Sequence, residues 1–134
     1  MTQISPANLP YRSRRTLLTP GEQRFYRYGL APAIGKRYQI SMKVRLADVI
    51  AADHWRSVHT SRITQKHLDF VLVSPKQTRI VAAIELNDRS HEVESRASRD
   101  AFVASAGIPL VTFPIYREYD PKKIRKRIWD VLRR

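Results

Sequence analysis

Cysteine is absent from the 134 residues, which removes disulfides, thiol nucleophiles and thiolate zinc sites together. Acid is the scarce charge: 12 Asp plus Glu stand against 25 Lys plus Arg, a formal net charge of +13. No apolar run approaches the roughly 18 residues that a membrane span needs, and no N-terminal stretch has the form of a secretory signal. These absences point to the cytoplasm and to no membrane partner. The histidines, at positions 54, 59, 67 and 91, lack the helical i, i+4 spacing of a zinc enzyme, so zinc is not expected.

What is present is enough apolar material for one domain. Hydrophobic residues make up 43% of the chain, and a chain of this length buries roughly two-thirds of its unfolded surface. The positive excess implies a polyanionic partner. For a chain without a lipid-binding amphipathic helix, nucleic acid is the usual one.

The most informative stretch runs from His67 to Asn87. Two apolar strands, His67-Leu68-Asp69-Phe70-Val71-Leu72-Val73 and the one ending Ile84-Glu85-Leu86-Asn87, flank Ser74-Pro75-Lys76-Gln77. Proline cannot continue a central ladder, so the segment between reads as a hairpin turn. A turn centred near residue 77 sets Asp69 across from Glu85 and His67 across from Asn87. Alternation then puts Asp69, Val71, Glu85 and Asn87 on one face and Leu68, Phe70, Ile84 and Leu86 on the other. Two opposed carboxylates about 5 Å apart at Cβ repel each other, so a positive charge should sit between them. A hard divalent cation is the obvious candidate.

Around this hairpin, residues 1–18 read as a flexible basic arm carrying Arg12, Arg14 and Arg15, and residues 19–134 as a single domain. Thr19-Pro20-Gly21-Glu22 is a capping-box start for a helix that ends by Gly35 and packs through Phe25, Tyr26, Gly29, Leu30 and Ala33. Glu22 is explained by that cap, or else it points at the metal site. From Tyr38 to Leu46 the chain alternates as a half-buried strand with Lys43 and Arg45 on its basic outer face, and Asp48–Ala52 suits a turn of helix. The stretch 53–66 reads as a polar basic loop, with Trp55, Arg56, Arg62 and Lys66 suited to stacking on bases and meeting phosphates. A helix is expected from about Val93 to Ala106, with Ala97, Ala101 and Ala104 packed closely on the sheet and Gly107 at its end. Residues 108–113 form an apolar strand, best placed parallel to its predecessor through a right-handed crossover. Asp120 and Pro121 open a last helix whose buried stripe is Ile124, Ile128, Val131 and Leu132.

The order helix, strand, strand, strand, helix, strand, helix, with Asp69 on one strand and Glu85-Leu86-Asn87 on the next, resembles the PD-(D/E)XK or restriction-endonuclease-like superfamily. The resemblance implies an α/β fold with an αβββαβα core, a mixed sheet around a central antiparallel hairpin flanked by helices. More narrowly, Leu18-Thr19-Pro20-Gly21-Glu22, Val44-Arg45-Leu46-Ala47-Asp48, Asp69-Phe70-Val71-Leu72, Ile84 to His91, Arg99-Asp100 and Ala106 to Leu110 look like a bacterial domain family of unknown function within that superfamily. There is also a likeness to very-short-patch-repair-type endonucleases, in which a histidine after the motif strand assists catalysis, as His91 would. The lysine position of the acid-x-lysine motif holds Asn87.

This resemblance implies a Mg²⁺- or Mn²⁺-dependent deoxyribonuclease in which Asp69 and Glu85, with the Leu86 carbonyl, hold the ion. Asn87 cannot supply positive charge, so stabilisation of the phosphorus passes to Arg99 or Arg96, or His91 acts as general base. DNA is the expected partner, other nucleic acid being an alternative, and a homodimer or a larger DNA-processing complex fits the same picture. The rival from another class is a catalytically degenerate basic nucleic-acid-binding accessory protein of the same fold.

Overall fold

The structure, a computed structural model, describes residues 5–52, 58–87 and 93–134. The first helix begins as its sequence signals require. Thr19 accepts the Glu22 amide, Glu22 accepts the Thr19 amide in return, and Pro20 opens α1 (Pro20–Phe25). Two orphan N–H groups at the helix start are thereby satisfied. The run then widens into a π segment over Tyr26–Leu30, just ahead of Pro32, which has no N–H to continue the ladder. It resumes as α2 (Ala31–Ile34) and stops at Gly35, whose φ of 59° suits glycine.

Gly29 lies in that π segment with α6 (Pro121–Leu132) pressed against it. A Cβ there would sit 2.6 Å from Ile124 Cδ1 and 3.1 Å from Tyr119 Cβ. Gly29→Ala should therefore destabilise the protein by about 1–3 kcal/mol through overpacking, read as a lower urea midpoint at unchanged m-value.

Among the described residues four strands, β1 (Gln39–Arg45), β2 (His67–Val73), β3 (Ile80–Asn87) and β4 (Leu110–Pro114), form one mixed sheet in that order, with helices on its faces. β1, β2 and β3 are antiparallel neighbours, and β4 returns parallel to β3 after α5 (Val93–Ser105). The hairpin has the expected register where it is regular: Phe70 faces Ile84, Val71 faces Ala83 and Leu72 faces Ala82. Between β1 and β2 lie α3 (Leu46–Val49) and α4 (Val58–Ile63). The second of these corrects, over Val58–Ile63, the loop expected for 53–66, of which 53–57 lie outside the described residues. Ile63, 7% exposed, packs with Leu46 and Leu68, and that burial draws a polar stretch into a helix.

The predicted faces of the hairpin hold except at Leu68. It was expected beside Phe70, Ile84 and Leu86 but clusters with Val71, Val73 and Ala83, on the other side of the sheet. The neighbouring strand makes the same change, Met42 packing with the first group and Val44 with the second. Between them Lys43 adopts φ 54°, and the ladder steps over it from the Met42–Phe70 pair to the Val44–Leu68 pair. Both strands therefore turn over at the level of Lys43 and Asp69.

The larger core lies on the α1, α2 and α6 side, around Phe25, Leu30, Phe70, Ile84, Phe113 and Ile128. The smaller lies under α3, α4 and α5. In α5 the expected packing face is wrong: Ala97, Ala101 and Ala104 are exposed, while Arg96, Arg99, Asp100 and Phe102 are partly covered and Val103 is fully buried. The reason is Glu85, 1% exposed in the sheet beneath. A buried carboxylate needs a counter-charge, and turning the alanines inward would turn Arg99 away from it.

Candidate active site

Asp69 and Glu85 cross over between their strands. Glu85 Oε1 accepts the Asp69 amide at 3.1 Å, and Asp69 Oδ2 accepts the Leu86 amide at 2.9 Å. Each carboxylate is thus fixed by the other's strand through one oxygen. Glu85 Oε2 has no hydrogen-bond partner among the described residues. Its compensation is ionic, from Arg99 Nη2 at 3.2 Å, and this guanidinium is the positive charge that two facing acids require.

Burial, then the charge of Asp69 and hydrogen bonding with it, push the Glu85 carboxyl up from 4.5 to about 9 against the pull of Arg99. Burial and Asp69 therefore favour a proton on Glu85, and the Arg99 guanidinium opposes it. Glu22 is held differently. Burial raises its carboxyl, but a hydrogen bond from Lys43 Nζ at 2.6 Å and the capping contacts with Thr19 outweigh this and leave it below its ordinary value.

A cleft of about 740 Å³ opens over Asp69, with Arg14, Lys43, Lys66, His67 and Arg99 among its walls. A second recess, of about 290 Å³, reaches Glu85 by way of Asn87, Arg96, Arg99 and Thr112. Arg99 lines both and stands between them.

Of the residues singled out in the sequence, Asp69, Glu85 and Arg99 are brought together, and Asn87 lies beside them with its Oδ1 taken by Arg96. Glu22 closes the capping box and pairs with Lys43, which lines the cleft. Lys66 and Arg14 line the cleft, and Arg12 and Arg15 are exposed beside it in sequence. Arg45 pairs with Asp48, Oδ1 at 2.9 Å, and Arg62 is exposed on α4. Trp55, Arg56 and His91 lie outside the described residues. The pairing of Lys43 with Glu22 was not legible beforehand. Strand alternation marks Lys43 only as a basic outer residue, and a left-handed break in a strand has no sequence signature at lysine.

The donors fit a hard divalent cation, which takes carboxylate oxygens and water and tolerates one or two protein ligands. Asp69 Oδ1 and Glu85 Oε2 are the oxygens not spent on backbone amides, and at Oε2 an ion would share or take over the place now held by Arg99. Among the described residues no group of three or more His, Asp or Glu gathers here, so an ion would rely on these two carboxylates and water. No described helix is long and apolar enough to cross a membrane.

One family, described as a protein of unknown function (DUF2726), matches residues 14–132. Comparisons with curated proteins and with solved structures found no match.

Proposed function

We propose that this chain, which belongs to the DUF2726 family, is a divalent-metal-dependent nuclease that hydrolyses phosphodiester bonds in DNA on a restriction-endonuclease-like fold. The observation that supports this reading is the crossed pair of Asp69 and Glu85, of which Asp69 lines a largely cationic cleft and Glu85 lies buried behind it, with Arg99 between. A surface that only gripped phosphates would gain nothing from two acids at that point, since its affinity comes from cations.

In this reading Asp69 and Glu85 hold Mg²⁺ or Mn²⁺, which when bound polarises phosphoryl oxygens and acidifies a bound water. Arg14, Lys43 and Lys66 meet backbone phosphates on the cleft wall. Arg99, the counter-charge of Glu85, is placed to face a phosphoryl oxygen from the same wall. Asn87, held by Arg96, orients water by hydrogen bonding.

One observation favours the second reading, the catalytically degenerate accessory protein: Arg99 already compensates Glu85 without any ion. Melting curves with and without Mn²⁺ separate the two. Wild type should gain several degrees, because an ion at a hundred times its Kd adds about 2.7 kcal/mol, and Asp69→Ala should gain nothing. The companion measurement is nicking of supercoiled plasmid by wild type but not by Asp69→Ala. Equal DNA binding by both proteins, with no nicking and no metal shift, would select the accessory protein instead.

A further inference from the structure

One cation of the cleft is placed at a cost in backbone energy. Lys43 is the single residue of β1 at positive φ, 54°, a conformation that costs a side-chain-bearing residue on the order of 1 kcal/mol and tends to persist where function uses it. It breaks the β1–β2 ladder at its own position, opposite Asp69 by the count of the flanking pairs. The result is an ammonium in the same cleft as Asp69 and Arg99, with its side chain 31% exposed and so open to a ligand. Its Nζ is 2.6 Å from Glu22 Oε2, and Glu22 is fixed in turn by the capping box of α1. An ammonium has three N–H groups; one goes to Glu22 and two remain.

The plainer account is an ion pair tying α1 to β1. That account leaves the strained backbone unexplained, because α1 is already anchored by Phe25, fully buried among Phe70, Phe113 and Tyr119. It also gives no reason for an ammonium opposite Asp69 by register, at a site where Asn87 is neutral and Arg99 is engaged with Glu85.

We propose that Lys43 is the cation that contacts the scissile phosphate and that Glu22 is its positioning residue, an inference that rests on the nuclease reading. In the hydrolysis, the oxygen of water forms the new bond to phosphorus, the bond to the leaving oxygen breaks, and the leaving oxygen takes up the proton that water gives up. Lys43 keeps its protons throughout and opposes the negative charge that builds on the non-bridging oxygens. Glu22 holds the ammonium in place.

The test is single-turnover cleavage of a labelled duplex by wild type, Lys43→Met, Lys43→Arg and the double variant Glu22→Gln with Lys43→Met. The double variant leaves no buried acid without a partner. Duplex affinity in Ca²⁺ and the Mn²⁺-induced melting shift are measured alongside. Both Met variants should cleave about 10²–10³-fold more slowly, with the melting shift kept and affinity reduced by less than about tenfold, as for one lost phosphate contact. Lys43→Arg should recover most of the rate. If wild type cleaves and a Met variant cleaves at nearly the same rate, Lys43 is only a tie between α1 and β1. Loss of the melting shift in the Met variants would place Lys43 in the fold rather than on the phosphate and overturn the proposal too. If wild type binds the duplex and never cleaves it, the nuclease reading itself fails, and this inference with it.

Discussion

Glu85→Gln should abolish the DNA cleavage proposed above, by about 10³-fold or more, and should remove a component of the pH dependence of stability expected of the wild type in EDTA. The second effect follows from the environment of the side chain. Glu85 is 1% exposed, faces Asp69, and has its carboxyl raised from 4.5 to about 9 in the folded protein. Between those values the native state holds a proton that the unfolded chain has released. The resulting stability is fully present below pH 4.5 and is lost as the pH rises through 9, at up to about 1.4 kcal/mol per pH unit. Glutamine has no proton to lose, so the difference in stability between the two proteins should swing in favour of the variant as the pH rises. Urea titrations of both proteins in EDTA at several pH values from 6 to 9 measure that difference, in which titrating groups not coupled to Glu85 cancel. Parallel curves would mean that Glu85 is ionised when folded and that Arg99 alone carries its charge.

Phe25→Ala should cost about 3–5 kcal/mol, a large share of the 5–15 kcal/mol by which a domain of this kind is typically stable. The ring is fully buried, with centroids 5.7, 5.4 and 5.2 Å from those of Phe70, Phe113 and Tyr119. It joins α1 to β2, β4 and the segment before α6. Truncation leaves a cavity at the junction of all four, and it also loosens the helix that carries Glu22. Phe25→Leu should lose less stability and remain folded. Its cleavage rate should still fall by more than its unfolded fraction accounts for, because the capping box no longer holds Glu22 firmly against Lys43. A drop in urea-derived stability below about 1 kcal/mol for Phe25→Ala would show that α1 is not docked through this ring.

The hairpin shows how far local rules reach. Pro75 forbids a continuous strand, the residues around it favour a turn, and the pairing of Phe70 with Ile84 follows from counting outward. That count brings Asp69 and Glu85 together without recourse to any tertiary contact. The capping box at Thr19, the proline starts of α1 and α6, and Gly107 at φ 76° after α5 were legible for the same reason: each is a contact within a few residues of itself. The parallel placement of β4 needed only the handedness of a crossover.

The misreadings share the opposite property. α5 offered an alanine stripe and a basic stripe of equal helical regularity, and periodicity alone favours burying the apolar one. The buried acid on β3 reversed that preference. Leu68 changed sides because of a left-handed residue on the neighbouring strand, and Val58–Ile63 became helical because Ile63 found a core to fill.

Sequence by itself determined the elements of this protein, their order, the register that sets two acids side by side, and an excess of positive charge. Tertiary structure alone decided which cations meet the buried acids: Arg99 on Glu85 and Lys43 on Glu22. The physical reason is that an ion pair is specified by distance through space and by the exclusion of water around it. Both depend on which elements pack over a side chain, and spacing along the chain carries no record of that.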